Sequence, residues 1–127
     1  MTPTARALAE CKRRGWTAQV VEQTIRAPGR TFKCDLFGCI DIIAIAPFGI
    51  LGIQVTSGTN HAARCAKICD EPRMVQWCKA GAHLAVWSWS KRGPRGKRKV
   101  WTLRETNFVA TLSGRLVRDL QDEQEAA

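Results

Sequence analysis

The chain has 127 residues, 45% of them apolar, which is enough for one compact domain with its own core. Its formal charge is +9, and four of its eleven acids (Asp119, Asp122, Glu123 and Glu125) fall in the last nine residues, so residues 1–118 carry 20 basic against 7 acidic side chains, a net +13. Such a body attracts polyanions such as nucleic acid; no run approaches the roughly 20 apolar residues of a membrane span, and the opening MTPTARALAECKRRGW has no apolar stretch of the secretory kind. The expected setting is therefore the cytoplasm, or a host cytoplasm for a virus-encoded chain, with no membrane partner.

Residues 4–14 have helix-forming composition and stop at Gly15. WTAQVVEQTI, 16–25, reads as a first strand halted by Pro28-Gly29. A long second strand is expected from about Thr31 to Ala46, bending or bulging at Gly38. Pro47-Phe48-Gly49 makes a hairpin turn into a third strand, Ile50 to Thr56. Ser57-Gly58-Thr59-Asn60 supplies N-cap chemistry for a helix over His61 to Cys69. Asp70-Glu71-Pro72 breaks it, and a short helix from Arg73 to Lys79 closes at Gly81. HLAVWSWS, 83–90, alternates like a strand; KRGPRGKRK, 91–99, is a basic loop, and VWTLRE, 100–105, returns as its hairpin partner. The predicted fold class is α/β with a mixed central sheet, in a single domain over 1–118 followed by a flexible acidic tail over 119–127.

Six cysteines in a chain with no sign of export are expected to be free thiols. A zinc site would pair Cys34 and Cys39 with Cys65 and Cys69, but no C-x-x-C occurs, and Cys34 and Cys39 would point to opposite faces of an unbroken strand. Buried thiols are the simpler reading.

The stretch GCIDIIAIAPFGILGIQVTS, 38–57, places one acid, Asp41, in an apolar run, where an ionised carboxylate is costly to bury without a partner. Alternation puts Asp35, Phe37, Cys39 and Asp41 on one face of an unbroken strand, and Gln54 with Thr56 on one face of the next. Pairing of the two strands makes Asp41 and Gln54 neighbours. Asp41, the Gln54 side-chain oxygen and the Val55 carbonyl then form a candidate oxygen set for magnesium, which takes few protein ligands and keeps waters and phosphate oxygens. On pattern alone, a turn cap or an arginine partner would satisfy Asp41 equally well.

GCIDIIAI followed by GIQVTS resembles the core of the PD-(D/E)XK nuclease superfamily, in particular its Holliday-junction-resolvase-like branch, and the longer string with VWSWSKRGPRGKRKVWTLR downstream resembles small phage-type members. The likeness spans roughly residues 16–105. It implies a restriction-endonuclease-like core in the order helix, three strands, helix, strand, and a metal-dependent endonuclease using Mg2+ or Mn2+ on DNA, duplex or junction. A homodimer is implied as well, because a junction presents paired scissile strands. In the family pattern Asp41 matches the strand aspartate, Gln54 the acid position and Thr56 the lysine position. The chain departs at both of the latter: glutamine removes a charge, and threonine removes the cation that orients the attacking water. Some members carry that cation on the following helix, where Lys67 and Arg64 lie i,i+3; Lys67 is the candidate, with phosphate binding the alternative for both. A further acid is implied, and Glu10, Glu22 and Asp35 are left as alternatives for it.

Six cations lie in nine residues of the basic loop: Lys91, Arg92, Arg95, Lys97, Arg98 and Lys99, a density suited to a nucleic-acid backbone. Trp87 and Trp89 share a strand face with Trp101 on the partner strand; core packing is preferred over base stacking for them. His61 and His83 carry no assignment. The reading competing with an endonuclease is a catalytically degenerate nucleic-acid-binding protein on the same fold.

Overall fold

The structure, a computed structural model, describes residues 1–119. Helix α1, Pro3–Arg13, starts with Pro3 in its first turn and with Thr2 as its cap, whose Oγ1 accepts the Ala5 N–H at 3.1 Å. Strand β1, Thr17–Val20, then lies antiparallel to β4, Ile42–Ala46, which forms a tight hairpin with β5, Gly49–Ser57. A 3-10 turn over Gly58–Asn60 leads into helices α2, His61–Cys69, and α3, Pro72–Lys79. This crossover returns the chain as β6, His83–Arg92, parallel to β5. Strands β7, Val100–Ala110, and β8, Leu116–Arg118, complete a mixed six-stranded sheet in the order β1-β4-β5-β6-β7-β8. The α/β class and mixed sheet are as expected; β8, only three residues long, gave no signal of its own.

Alternation along the central strands divides the core between the two sheet faces. Ile42, Ala44, Leu51, Ile53, Val55, Ala85, Trp87 and Trp89 pack with Ala7 and Cys11 of α1. Leu84, Val86 and Phe108 pack with Cys65 and Ile68 of α2 and Met74 of α3 on the other face. Trp87 and Trp89 are thus core residues, and Trp101 is exposed. All six thiols are free: Cys11, Cys39 and Cys65 are buried, Cys78 half-buried, and Cys34 and Cys69 exposed.

Two strand expectations are corrected. The stretch 16–25 does not run as one strand: the chain leaves the sheet after Val20 and enters a separate hairpin of β2, Gln23–Ala27, and β3, Arg30–Cys34, turning at Pro28-Gly29. The strand expected over 31–46 breaks between β3 and β4. Phe37 and Gly38 take positive φ values of 52° and 74° there, and a Leu36–Ile40 bridge closes the turn. Strand alternation therefore does not connect Asp35 to Asp41. The turn is seated by Ile40, whose side chain occupies the space over Gly52; a Cβ on Gly52 would stand 2.8 Å from Ile40 Cδ1. The tail expected over 119–127 lies outside the described residues except for Asp119, whose N–H donates to the Asn107 carbonyl at 2.8 Å.

Candidate metal centre and nucleic-acid interface

Asp41 directly precedes β4, with its side chain on the α2 face of the sheet, and it is buried at 3% exposure. Its N–H donates to the Ile53 carbonyl at 2.9 Å, and its own carbonyl accepts from Val21 at 2.8 Å and Glu22 at 3.3 Å. That last pair of bonds fixes Glu22 beside Asp41. The positive-φ turn between Asp35 and Asp41 reverses the chain, so Asp35 arrives at the same point from the other side. Glu22, Asp35 and Asp41 place carboxylate oxygens within 4.8 Å of one another, and they are the one such group of potential metal ligands among the described residues.

Of the three acids weighed as partners for Asp41, Glu10 is the one not brought to it. Glu10 lies on α1 bound to Arg13 Nε at 3.1 Å and Arg14 Nε at 2.8 Å, and these guanidinium contacts, that of Arg13 foremost, hold its carboxyl below the usual range.

Gln54 stands beside Asp41, as hairpin pairing predicts, but with its donor inward. Gln54 Nε2 donates to Asp41 Oδ2 at 2.8 Å, and the Val55 N–H donates to the same oxygen at 2.8 Å. The Gln54 amide and the Val55 main chain thus hold the carboxylate through N–H groups, whereas the Gln54 side-chain oxygen and the Val55 carbonyl were the expected ligand atoms. Gln54 Oε1 is buried and has no hydrogen-bond partner among the described residues. With both donors on Oδ2, the Oδ1 atom is left for Asp35, Glu22 or a cation. Burial first, then the adjacent Asp35, pushes the Asp41 carboxyl up to about 8, against the pull of the Val55 N–H.

These acids line a cleft of about 480 Å³ with Thr4, Lys33, Gly38, Gln54, Val55, Arg64 and Lys67 on its walls. Lys67 Nζ lies 3.6 Å from Asp35 Oδ2, and Lys33 Nζ lies 3.3 Å from Glu22 Oε1. Each flanking acid is thus already faced by a lysine, while Asp41 has only neutral donors. Lys33 escapes sequence reasoning because it reaches the cleft only once the β2–β3 hairpin folds back. Thr56, expected in the catalytic triplet, is buried one pleat beyond Gln54 and is not among the cleft-lining residues.

The basic segment divides between strand and tip. Lys91 and Arg92 end β6, while Arg95, Lys97, Arg98 and Lys99 occupy an exposed turn that closes with the Lys97 N–H on the Pro94 carbonyl at 3.0 Å. Gln54 pairs in register with Val86. Gly93 lies seven positions beyond Val86, so the tip starts about 23 Å further along the neighbouring strand. It rises from the carboxyl end of the β5–β6 parallel pair, the end at which α/β sheets bind ligands. Beside it, Arg6 stacks on Trp101 at 3.9 Å and Lys91 approaches the same ring at 5.5 Å.

His61 begins α2, buried, with Nδ1 2.6 Å from Ser88 Oγ and Nε2 2.8 Å from Thr106 Oγ1. His83 Nε2 lies 3.1 Å from the Phe48 carbonyl. No helix among the described residues is long and apolar enough to cross a membrane. Comparison with family models, with curated proteins and with solved structures returns no match, so the site stands on its own geometry.

Proposed function

We propose that the chain is a metal-dependent endonuclease hydrolysing DNA phosphodiesters, branched or structured DNA included. The observation that carries this reading is the convergence of Glu22, Asp35 and Asp41 in a cleft that Lys33, Arg64 and Lys67 also line. The order α1, β1, β4, β5, α2, β6 supports a restriction-endonuclease-like core, with the β2–β3 hairpin inserted after its first strand.

The site fits a hard divalent cation. It offers three carboxylates at short range, and among the described residues the N–H donors to buried Asp41, those of Gln54 and Val55, both fall on Oδ2. Glu22, Asp35 and Asp41 are the residues that would hold Mg2+ or Mn2+. Such an ion, when bound, supplies Lewis acidity toward the phosphodiester and lowers the pKa of water to give a nucleophile near neutral pH. Gln54 and the Val55 N–H orient Asp41 by fixing Oδ2, which makes both of them positioning groups. Gln54 suits this task better than glutamate, because a fourth carboxylate would add repulsion where the amide donates a bond. Lys67 brings a positive charge from α2 to the cleft that Thr56 does not supply from β5, and it is placed to neutralise charge developing on the phosphate. The basic tip 93–99 holds the DNA backbone at a distance from the reacting centre.

The test is a cleavage assay on a four-way junction and a matched linear duplex with Mg2+ or Mn2+, run with wild type and Asp41→Asn. Metal-dependent cutting by wild type alone supports the proposal, and the preferred substrate selects a resolvase or a general endonuclease. Tight DNA binding with no cutting by either protein would replace it with the degenerate binding protein, the reading that the Gln54 and Thr56 substitutions favour.

A further inference from the structure

The β2–β3 hairpin forms a two-stranded sheet of its own, outside the six-stranded one. Eleven of its twelve residues, 23–34, are exposed, with Ala27 the exception. A lone two-stranded hairpin is marginally stable in water, and this one contributes little to either core. It carries three cations, Arg26, Arg30 and Lys33, and no acid. The register Thr24↔Lys33, Ile25↔Phe32, Arg26↔Thr31 sorts its side chains onto two unlike faces. One face is wholly polar and basic: Thr24, Arg26, Thr31 and Lys33. The other presents the Ile25–Phe32 pair, with Arg30 lying over the Phe32 ring at 5.2 Å.

The root of the hairpin is the acidic cleft. Glu22 precedes β2, Asp35 follows β3, and Lys33 reaches from the basic face to Glu22 at 3.3 Å. The basic face is therefore continuous with the cleft wall. The geometry points to a second DNA-contacting element: the hairpin is an arm whose Thr24–Arg26–Thr31–Lys33 face lies along the duplex as it leaves the cleft. A two-stranded ribbon has the width that a DNA major groove admits, and its charge complements the backbone. The cleft then sits between two basic hairpins, this arm on the β1–β4 side and the 93–99 tip on the β6–β7 side. Because Glu22 and Asp35 flank the arm in the chain, DNA seated on it also holds two of the three carboxylates in place.

This inference rests on the nuclease reading, and a matched pair of exposed substitutions separates the two. Arg26→Glu reverses a charge on the basic face, and Arg30→Glu makes the same change on the opposite face. DNA affinity and its salt dependence are measured on a duplex, with Mn2+ titrated separately into DNA-free protein. The expected result is an affinity loss of roughly tenfold or more and a salt slope flatter by about one for Arg26→Glu, against less than about threefold for Arg30→Glu, with Mn2+ affinity unchanged in both. Equal losses in the two variants overturn the face assignment and the arm with it. Wild-type affinity for Arg26→Glu, on a duplex that wild type cuts, overturns the arm and leaves the nuclease standing; a change in molecular mass in solution alongside it assigns the face to a second copy. A wild-type protein that neither binds nor cuts DNA overturns both.

Discussion

Two polar clusters, each centred on a buried side chain, lie on the same face of the sheet, and they are built on opposite principles. Around His61 every group is satisfied: the ring bonds Ser88 at 2.6 Å and Thr106 at 2.8 Å, and the two hydroxyls complement either neutral tautomer. Burial, followed by the charges of Arg104 and Arg118, holds its pKa down to about 4, so the imidazole is neutral at physiological pH. Around Asp41 three carboxylates gather with only two neutral donors on the central one, an arrangement that folding alone disfavours. The first cluster fastens α2 to β6 and β7. In the second, Lys33 and Lys67 face the two outer acids, and Asp41 is left with a charge that burial and its neighbours disfavour, met by a proton or, on the proposed reading, by a metal ion. A complete polar network is a structural device, and the incomplete one is what the proposed metal site rests on.

Breaking each cluster should therefore have opposite consequences. Asp41→Asn preserves an acceptor for Gln54 and Val55 and adds a donor for Asp35 or Glu22. Metal-dependent cleavage should fall by about three orders of magnitude, ~4 kcal/mol of transition-state stabilisation, while the metal-free melting temperature rises. Undiminished cleavage would remove Asp41 from the site. His61→Ala should do the reverse, leaving a cavity and two unpaired hydroxyls for a stability loss of about 3 kcal/mol in urea unfolding, with Mn2+ affinity untouched. A matching fall in metal affinity would undo the distinction between the clusters.

The pH dependence sharpens the contrast. Folded Asp41 keeps its proton up to about 8, against 3.8 in the unfolded chain, so the folded state binds more protons and stability falls as pH rises through that window. His61 opposes it: with a pKa of 6.5 unfolded and about 4 folded, it adds stability as pH rises between those values. Above 6.5 only the Asp41 contribution remains, and metal-free protein should lose at most about 2 kcal/mol by pH 8. Urea melts at the two pH values, in EDTA and in saturating Mn2+, check this; the loss should vanish with the metal, and its persistence would show that the ion does not replace the proton. The smallest expected effect concerns the 93–99 tip. Replacing Lys97, Arg98 and Lys99 with alanine should weaken DNA binding about tenfold and flatten its salt slope by about three, with an unchanged slope excluding the tip from the interface.

Much of this organisation is legible along the chain because it depends on short-range rules. The hairpin of β4 and β5 follows from two apolar runs around Pro47-Phe48, and its pairing alone predicts that Asp41 meets Gln54. Both crossover helices are marked by their breakers, but the cap expected of residues 57–60 makes no side-chain bond to the start of α2. Glu71, read as part of a breaker, is the residue that caps α3, its side chain accepting from the Arg73 N–H at 3.1 Å. The third acid was not legible. Strand parity aligned Asp35 with Asp41 for a reason that the fold does not use, since positive φ at Phe37 and Gly38 breaks the strand between them. The two acids meet through that reversal. Glu10, Glu22 and Asp35 were equivalent by composition, and main-chain bonds from Val21 and Glu22 to Asp41 separate them.

Composition and periodicity by themselves determined the α/β class, the free thiols, the basic surface and the Asp41–Gln54 contact, because each follows from local pattern or from adjacent paired strands. Only the tertiary structure decided which acids join Asp41, that Gln54 turns its amide nitrogen inward, that Thr56 stays out of the cleft, and that Lys33 reaches it. Those outcomes depend on a chain reversal and a hairpin inserted between β1 and β4, where side chains distant in pattern converge under geometric constraints that no single strand or helix carries.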